Sequence, residues 1–412
     1  MLGKLVYFLK RNNRLKDTLK LIIAFLHFPI VVAAFITSYL YRDKGTVWLI
    51  SEMGIDAKDN GRDFFEYLRA KHPEIPTAYV LDRGAREYSE LNTIGTIVQP
   101  KSFQHYIMLF RAKYLISTHD HYVLPMNATN WREFKILYGW LAPGLRFVFL
   151  QHGIEQWDAE ENSKFSRTKF DFFVTSTRAE TEEISHYGYP EGTIIETGMP
   201  RLDKLKIGKP IQAMKHIILF SPTWRQYLAD VDRETFLEST YFKKVNGVLT
   251  DEKLHSILTE NNAELYFMPP HHEIQAFLNE FSDESNTIRL VSVDEYSLKK
   301  VLMESSLMIT DYSSISMDFA FMERPVIYYQ FDQKEFAQGH YKYKERYFTH
   351  ERDGFGPIVT EIDELISSVN QVVLNNYKMT EFYKKRADKF FTLKDTQNAD
   401  RLFAVLKEHV ND

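Results

Sequence analysis

The sequence predicts two α/β domains in series, each built on a parallel, doubly wound sheet. Three observations carry this expectation. Short apolar runs alternate with amphipathic stretches from about Thr46 to Ile358, the βαβα order that produces parallel sheets. Four of the later runs stop at small hydroxyls, acids or histidines, and open parallel sheets bind ligands beyond their strand ends. The chain of 412 residues also exceeds one ordinary core.

The amino terminus differs from the rest. Residues 1–20 carry Lys4, Lys10, Arg11, Arg14, Lys16 and Lys20 against one acid, Asp17. Leu21 to Tyr41 is then apolar, interrupted only by His27, Pro29, Thr37 and Ser38. The basic flank would hold the amino end in the cytoplasm and send a spanning chain outside. Pro29 offers a kink through which two short halves could enter one leaflet and return. Residues 1–44 are therefore expected to be a monotopic membrane-association segment. A true span and a helix docked on the protein's own core are the alternatives. High salt alone should not release the protein from membranes, whereas deleting 1–44 should.

Residues 45–205 form the expected first domain. Strands are expected at Thr46–Ser51, Thr77–Leu81, Thr96–Val98, Tyr114–Ser117, Phe147–Gln151, Phe172–Ser176 and Ile194–Glu196. Helices are expected at Gly61–Lys71, Phe103–Arg111 and Arg178–Tyr187. A break follows at Gly198-Met199-Pro200-Arg201-Leu202-Asp203 and Gly208-Lys209-Pro210. The second domain occupies 206–378, and 379–412 reads as a C-terminal helix. Hydrophobic residues at 44% and charged residues at 26% suit a folded protein, and a net charge of −5 gives no basic field for nucleic acid. With no cysteine, disulfides, thiolate metal sites and cysteine nucleophiles are excluded.

Leu307-Met308-Ile309-Thr310-Asp311-Tyr312-Ser313-Ser314 reads as a buried strand ending in a turn, with helical spacing resuming at Ile315 and Phe319. Such a turn can aim backbone N–H groups and hydroxyls at an anion, although Asp and Ser are also ordinary helix caps. Ile217-Ile218-Leu219-Phe220 runs into Ser221-Pro222-Thr223-Trp224-Arg225, and Leu265-Tyr266-Phe267-Met268 runs through two prolines into His271 and His272. Val326-Ile327-Tyr328-Tyr329-Gln330-Phe331 closes on Asp332. In the first domain Phe147-Val148-Phe149-Leu150-Gln151 delivers His152, followed by Gly153, which lets a ligand approach. His152 is read as a general base or as a histidine capping a strand end. His119-Asp120-His121 is the best metal candidate, but three residues are few for a closed site; a role near an acceptor, or none, is the stronger reading. No G-x-S-x-G elbow, Walker A loop or well-placed G-x-G-x-x-G occurs.

Together, His152-Gly153, Gly198-Met199-Pro200-Arg201-Leu202-Asp203, Ser221-Pro222-Thr223-Trp224-Arg225, His271-His272, Thr310-Asp311-Tyr312-Ser313-Ser314 and Arg324-Pro325-Val326-Ile327-Tyr328-Tyr329 resemble the CDP-glycerol glycerophosphotransferase family, over roughly residues 45–375. These enzymes prime and polymerise wall teichoic acid, and related members build capsules. The resemblance implies a GT-B-like pair of Rossmann-type domains with a cleft between them and a membrane-attached amino terminus. A body that needs a nucleotide donor is expected to stay inside, at the cytoplasmic face of the cell membrane. It implies transfer of a polyol phosphate, glycerol phosphate first and ribitol phosphate second, from a CDP-alcohol to a hydroxyl of a lipid-linked polyol-phosphate or saccharide acceptor, with release of CMP. His152 would be the base, and His271 (first choice) or His272 would steady the transferring phosphate. Ser313, Ser314 and Thr223 would hold phosphate oxygens while Arg225 and Arg324 supply charge, so that Arg324→Ala should weaken CDP-alcohol binding. Asp311 and Asp332 would orient these groups or meet donor hydroxyls. Gly153, Arg201 and Ser221 belong to the same motifs and are carried as substrate-binding. No tightly bound cofactor is expected, and a loosely held divalent cation and a homo-oligomer stay open. Departures exist: many members read Trp-His-Gly-Thr where this chain has Gln151-His152-Gly153-Ile154, and Leu202 replaces a usual Asn. The late segment from Gly339 to Phe348 is longer and more basic than usual. A GT-B glycosyltransferase using a nucleotide sugar and an inactive membrane-bound scaffold are the competing readings.

Overall fold

The computed structural model describes residues 13–156, 159–207, 215–269, 272–281, 286–293, 296–339 and 347–410. The chain divides into two compact units. One contains the chain up to His152, Ala159–Asp203 and everything from Gln397; the other contains the short segment from Gly153 and Lys204–Thr396.

The first unit has seven strands: β1 (Val47–Ser51), β2 (Thr77–Val80), β3 (Thr96–Val98), β4 (Ala112–Ser117), β5 (Arg146–Phe149), β6 (Phe172–Thr175) and β7 (Ile194–Glu196). They lie in the order β3-β2-β1-β4-β5-β6-β7, every pair parallel. The run Val47-Trp48-Leu49-Ile50-Ser51 is buried throughout, as a strand covered on both faces must be. The helix Asn60–Lys71 turns Phe64, Phe65 and Leu68 inward, the i, i+1, i+4 face read from the sequence. The second unit has β8 (His216–Phe220), β9 (Ala263–Phe267), β10 (Ile288–Leu290), β11 (Ser305–Thr310), β12 (Val326–Tyr329) and β13 (Ile358–Val359), in the parallel order β10-β9-β8-β11-β12-β13. Both sheets are thus Rossmann-type. Strand order reverses beside β1 in one and beside β8 in the other, which marks β1/β4 and β8/β11 as the two crevices where ligands belong.

The N-terminal apolar stretch is two helices, Asn13–Leu26 and Phe28–Ser38, bent by 54° at the break. Pro29 stands in the first turn of the second helix, where its missing N–H costs nothing. Among the described residues no single helix is long and apolar enough to cross a membrane. One side of the pair is docked on the first unit. Ala24, Val31 and Ala34 are buried, the Tyr138 hydroxyl donates to the Ala24 carbonyl at 2.7 Å, and Phe35 packs edge-on against Phe110 at 5.5 Å. The other side leaves Ile22, Phe25, Leu26, Ile36 and Leu40 exposed.

The single C-terminal helix expected over 379–412 is instead two helices, Glu381–Phe390 and Asn398–Glu408. The second returns to the first unit, where Leu402, Phe403 and Leu406 join a core with Trp48, Ile50 and Tyr114. Asp203 holds its start, accepting from Asn398 N (2.9 Å), Asn398 Nδ2 (2.6 Å) and Ala399 N (2.9 Å). Gly198 has φ +77°, and a Cβ there would sit 1.8 Å from Asn398 Oδ1. Part of the Gly198–Asp203 motif therefore exists to seat the last helix.

Candidate functional site

In the first unit, the carboxyl ends of β1, β4 and β5 carry Glu52, His119 and His152. Glu52 is buried directly after β1 and accepts backbone N–H bonds from Lys58 (2.7 Å), Asp59 (3.0 Å) and Arg62 (2.7 Å), folding the 52–62 loop around its carboxyl. Burial, and then the nearby Asp59, push its pKa up to about 8. Asp59 caps the following helix and accepts from Arg201 Nη1 at 2.9 Å. Asn60 joins three segments: its Nδ2 donates to the Gln151 carbonyl (2.9 Å) and its Oδ1 accepts from Arg201 N (3.1 Å). Arg201 Nη1 also donates to the His152 carbonyl.

Gln151 sits at φ 59°, in the left-handed region that costs a residue with a side chain about 1–3 kcal/mol. It is held there because its Nε2 donates to Val174 O (2.6 Å) and Glu180 Oε1 (3.1 Å) while its own carbonyl accepts from Asn60. This kink turns the next residue, His152, out of the strand direction. The His152 side chain reaches solvent, yet enough protein surrounds the ring that desolvation lowers its pKa from 6.5, with Arg201 adding to the shift and Asp59 opposing it. The ring lies 5.6 Å from that of His119, the planes 15° apart. Among the described residues no group of three His, Asp or Glu could hold a metal ion.

In the second unit, Asp311 ends β11 and accepts from Thr223 N (2.8 Å) and Tyr312 N (2.6 Å), so one carboxylate ties together the loops leaving β8 and β11. Its other oxygen accepts from Arg225 Nη2 at 2.7 Å. Arg225 also pairs with Asp332 through Nε (2.6 Å) and Nη2 (2.8 Å), and donates from Nη1 to the Thr223 carbonyl at 2.6 Å. All three side chains are buried. Tyr241, Tyr312, Phe331 and Phe336 surround the guanidinium at 5.0–5.6 Å. Desolvation opposes its charge, but the two carboxylates outweigh it and hold Arg225 ionised. Ser313 and Ser314 follow on the partly exposed turn before the helix Ile315–Phe321, and Ser313 Oγ accepts from Ile315 N at 3.3 Å. The Thr223 hydroxyl is buried without a hydrogen-bond partner among the described residues.

The sequence profile of the CDP-Glycerol:Poly(glycerophosphate) glycerophosphotransferase family matches residues 32–408. The chain belongs to this family. It is 28% identical over 378 residues to the minor teichoic acid biosynthesis protein GgaB of Bacillus subtilis, covering 89% of this chain and 40% of that one. It is 24% identical over 385 residues to the teichoic acid glycerol-phosphate transferase of Staphylococcus aureus, covering 87% and 92%. The chain thus spans less than half the length of the first relative and nearly all of the second. The solved structure of the wall teichoic acid polymerase TagF shares the fold, with a TM-score of 0.64 at 17% identity over 96% of this chain and 98% of that one.

Several residues that the glycerophosphotransferase resemblance marks stand at ligand-facing strand ends: His152 and Gly153 after β5, Thr223 after β8, and Asp311, Ser313 and Ser314 after β11. Other placements differ from expectation. Arg225, expected to offer charge to a ligand, is buried and donates to Asp311, Asp332 and the Thr223 carbonyl. Asp311 and Asp332, expected to orient these groups or meet donor hydroxyls, both accept from Arg225. Ser221 is buried, its hydroxyl donating to the Met268 carbonyl at 2.8 Å. Arg201 fixes the backbone of His152. Arg324 lies just before β12, at the opposite edge of the sheet from the strand ends, and its Nη1 donates to the carbonyls of Leu302 (3.0 Å), Met303 (2.7 Å) and Ser305 (2.7 Å). It caps the helix Leu298–Glu304. Arg324→Ala should accordingly lower stability by about 1–3 kcal/mol in a denaturant titration, with CDP-glycerol affinity by calorimetry unchanged. His271 lies outside the described residues, as do Gly208-Lys209-Pro210 and 340–346 of the late loop; of His272 only the backbone is described, at the start of the helix His272–Gln275. Glu52, Asp59 and Asn60 were not singled out by the sequence. The one available signal was an acid placed directly after a buried strand.

Proposed function

We propose that this protein transfers a polyol phosphate, glycerol phosphate first, from a CDP-alcohol to a hydroxyl of a lipid-linked acceptor in the synthesis of teichoic acid or a related surface polymer, releasing CMP. The observation that carries the reading is His152: an imidazole with a lowered pKa at a ligand-facing strand end, in a chain of the glycerophosphotransferase family. A neutral imidazole can take a proton near neutral pH. As the acceptor oxygen bonds to the donor phosphorus, its proton passes to His152, and CMP leaves with the electron pair of the broken P–O bond. Ser313, Ser314 and Thr223 are assigned to the phosphate oxygens, whose charge must be met throughout the displacement. His271 remains the first choice for a second phosphate donor. The reading invokes no tightly bound cofactor, and a chelator titration of turnover reads whether a loosely held cation contributes.

The exposed apolar side of the N-terminal helix pair supports a monotopic seat on the cytoplasmic face of the membrane, where a lipid-linked acceptor is met. Because Val31 and Ala34 belong to the core of the first unit, deleting 1–44 would also uncover that core. Substitution is the cleaner test. The triple variant Phe25→Ser, Leu26→Ser, Ile36→Ser should release most of the protein from vesicles in a flotation assay, whereas high salt should release little of the unaltered protein. Full release by salt alone would contradict apolar insertion.

A further inference from the structure

His119 is not used by the scheme above, yet its position is constrained from several sides. Strands β4 and β5 are hydrogen-bonded neighbours with Ser117 opposite Phe149, so the segments that follow them emerge side by side. The His119 and His152 rings are stacked, 5.6 Å between centroids and 15° between planes. His119 is braced from its own loop: Thr118 Oγ1 is 2.9 Å from its Nδ1, and the Tyr122 ring meets it edge-on at 5.5 Å. The loop is anchored in turn. Asp120 contacts His121 Nδ1 at 3.1 Å and accepts from Asn130 Nδ2 at 2.5 Å, and Asn130 caps the helix Trp131–Tyr138.

We propose that His119 is a positioning residue for His152, a braced flat surface that fixes the plane of the His152 ring for proton transfer from the acceptor hydroxyl. The proposal rests on His152 acting as the base. The proton passes from the hydroxyl to His152 and then to water; His119 neither gains nor loses one. Asp59 and Arg201 act on His152, while His121, Asp120 and Asp59 act on His119. Burial and the neighbouring histidines lower the His119 pKa to about 4, so the supporting ring stays neutral while its partner cycles. Two stacked imidazolium cations would repel one another, and this arrangement avoids them.

The test compares His119→Ala with His119→Phe in the full chain, using CDP-glycerol and a lipid-linked polyol-phosphate acceptor. Phenylalanine keeps the flat surface and removes the nitrogens. His119→Ala should lower kcat on the order of tenfold to a hundredfold, as misplacement of a reacting group does, with KM for CDP-glycerol unchanged. His119→Phe should restore most of that loss. In the alanine variant the acid limb of kcat/KM should move to higher pH, because water now reaches His152, and the His152 ring resonances should titrate higher to match. If the alanine variant loses native circular dichroism, His119→Asn takes its place. Native kcat with an unmoved limb in His119→Ala would overturn the proposal, and so would a phenylalanine variant as impaired as the alanine one. Failure of the unaltered protein to consume CDP-glycerol would instead count against the function proposed above.

Discussion

Replacing His152 with alanine should abolish turnover of CDP-glycerol while leaving its binding nearly intact. A positioned general base contributes about 10²–10⁴-fold to a rate, and the alanine variant should lose at least that much in kcat. Binding should survive because the hydroxyls of Ser313, Ser314 and Thr223, proposed to hold the phosphate, belong to the other unit and do not depend on the imidazole. Calorimetry with CDP-glycerol should therefore give a dissociation constant within about a few-fold of that of the unaltered protein. The pH profile adds a second check. Desolvation lowers the His152 pKa from 6.5, so the ring is neutral and able to accept a proton further into the acid range than a free histidine. The acid limb of kcat/KM should fall below that value. Normal turnover in the alanine variant would remove His152 from the mechanism.

Replacing Arg225 with methionine should produce the largest loss of stability. The guanidinium sits between Asp311 and Asp332, all three buried. Taking away the cation leaves two carboxylates in a water-free environment, and breaking such a pair typically costs about 3–5 kcal/mol. Loss should appear as a lower denaturant midpoint for the second unit. Function should fail with it, because Asp311 also holds the Thr223 and Tyr312 N–H groups of the loops proposed to meet the phosphate. Lysine at the same position keeps the charge but cannot bond both carboxylates through a planar fork, so Arg225→Lys should recover only part of the loss. A methionine variant of native stability that binds CDP-glycerol weakly would return Arg225 to direct contact with the donor.

The sheets were legible because a parallel strand covered on both faces must be apolar along its length, and runs such as Val47–Ile50 and Leu307–Ile309 have that property. Thr96–Val98 and Ile194–Glu196 fell where the pattern put them. The short β10 escaped notice because Arg289 stands between Ile288 and Leu290 and breaks the apolar run. Charges were harder to read. Arg225 closes one motif and Arg324 opens another, and linear order does not say whether a guanidinium faces water, a carboxylate or a helix end. Helix was legible over the C-terminal segment, but not its break into two or the return of the second helix to the first unit, since the Leu402, Phe403 and Leu406 stripe would fit any apolar face. The docked side of the N-terminal pair was hidden for a related reason: Ala24, Val31 and Ala34 are as apolar as the side chains left exposed beside them.

Which nucleotide the protein releases separates phosphotransfer from glycosyl transfer most directly. Purified protein given CDP-glycerol, CDP-ribitol and sugar nucleotides in parallel, each with a lipid-linked acceptor, should consume a CDP-alcohol and yield CMP in step with the lengthened acceptor. Release of UDP or GDP from a sugar nucleotide, with every CDP-alcohol left intact, would contradict it.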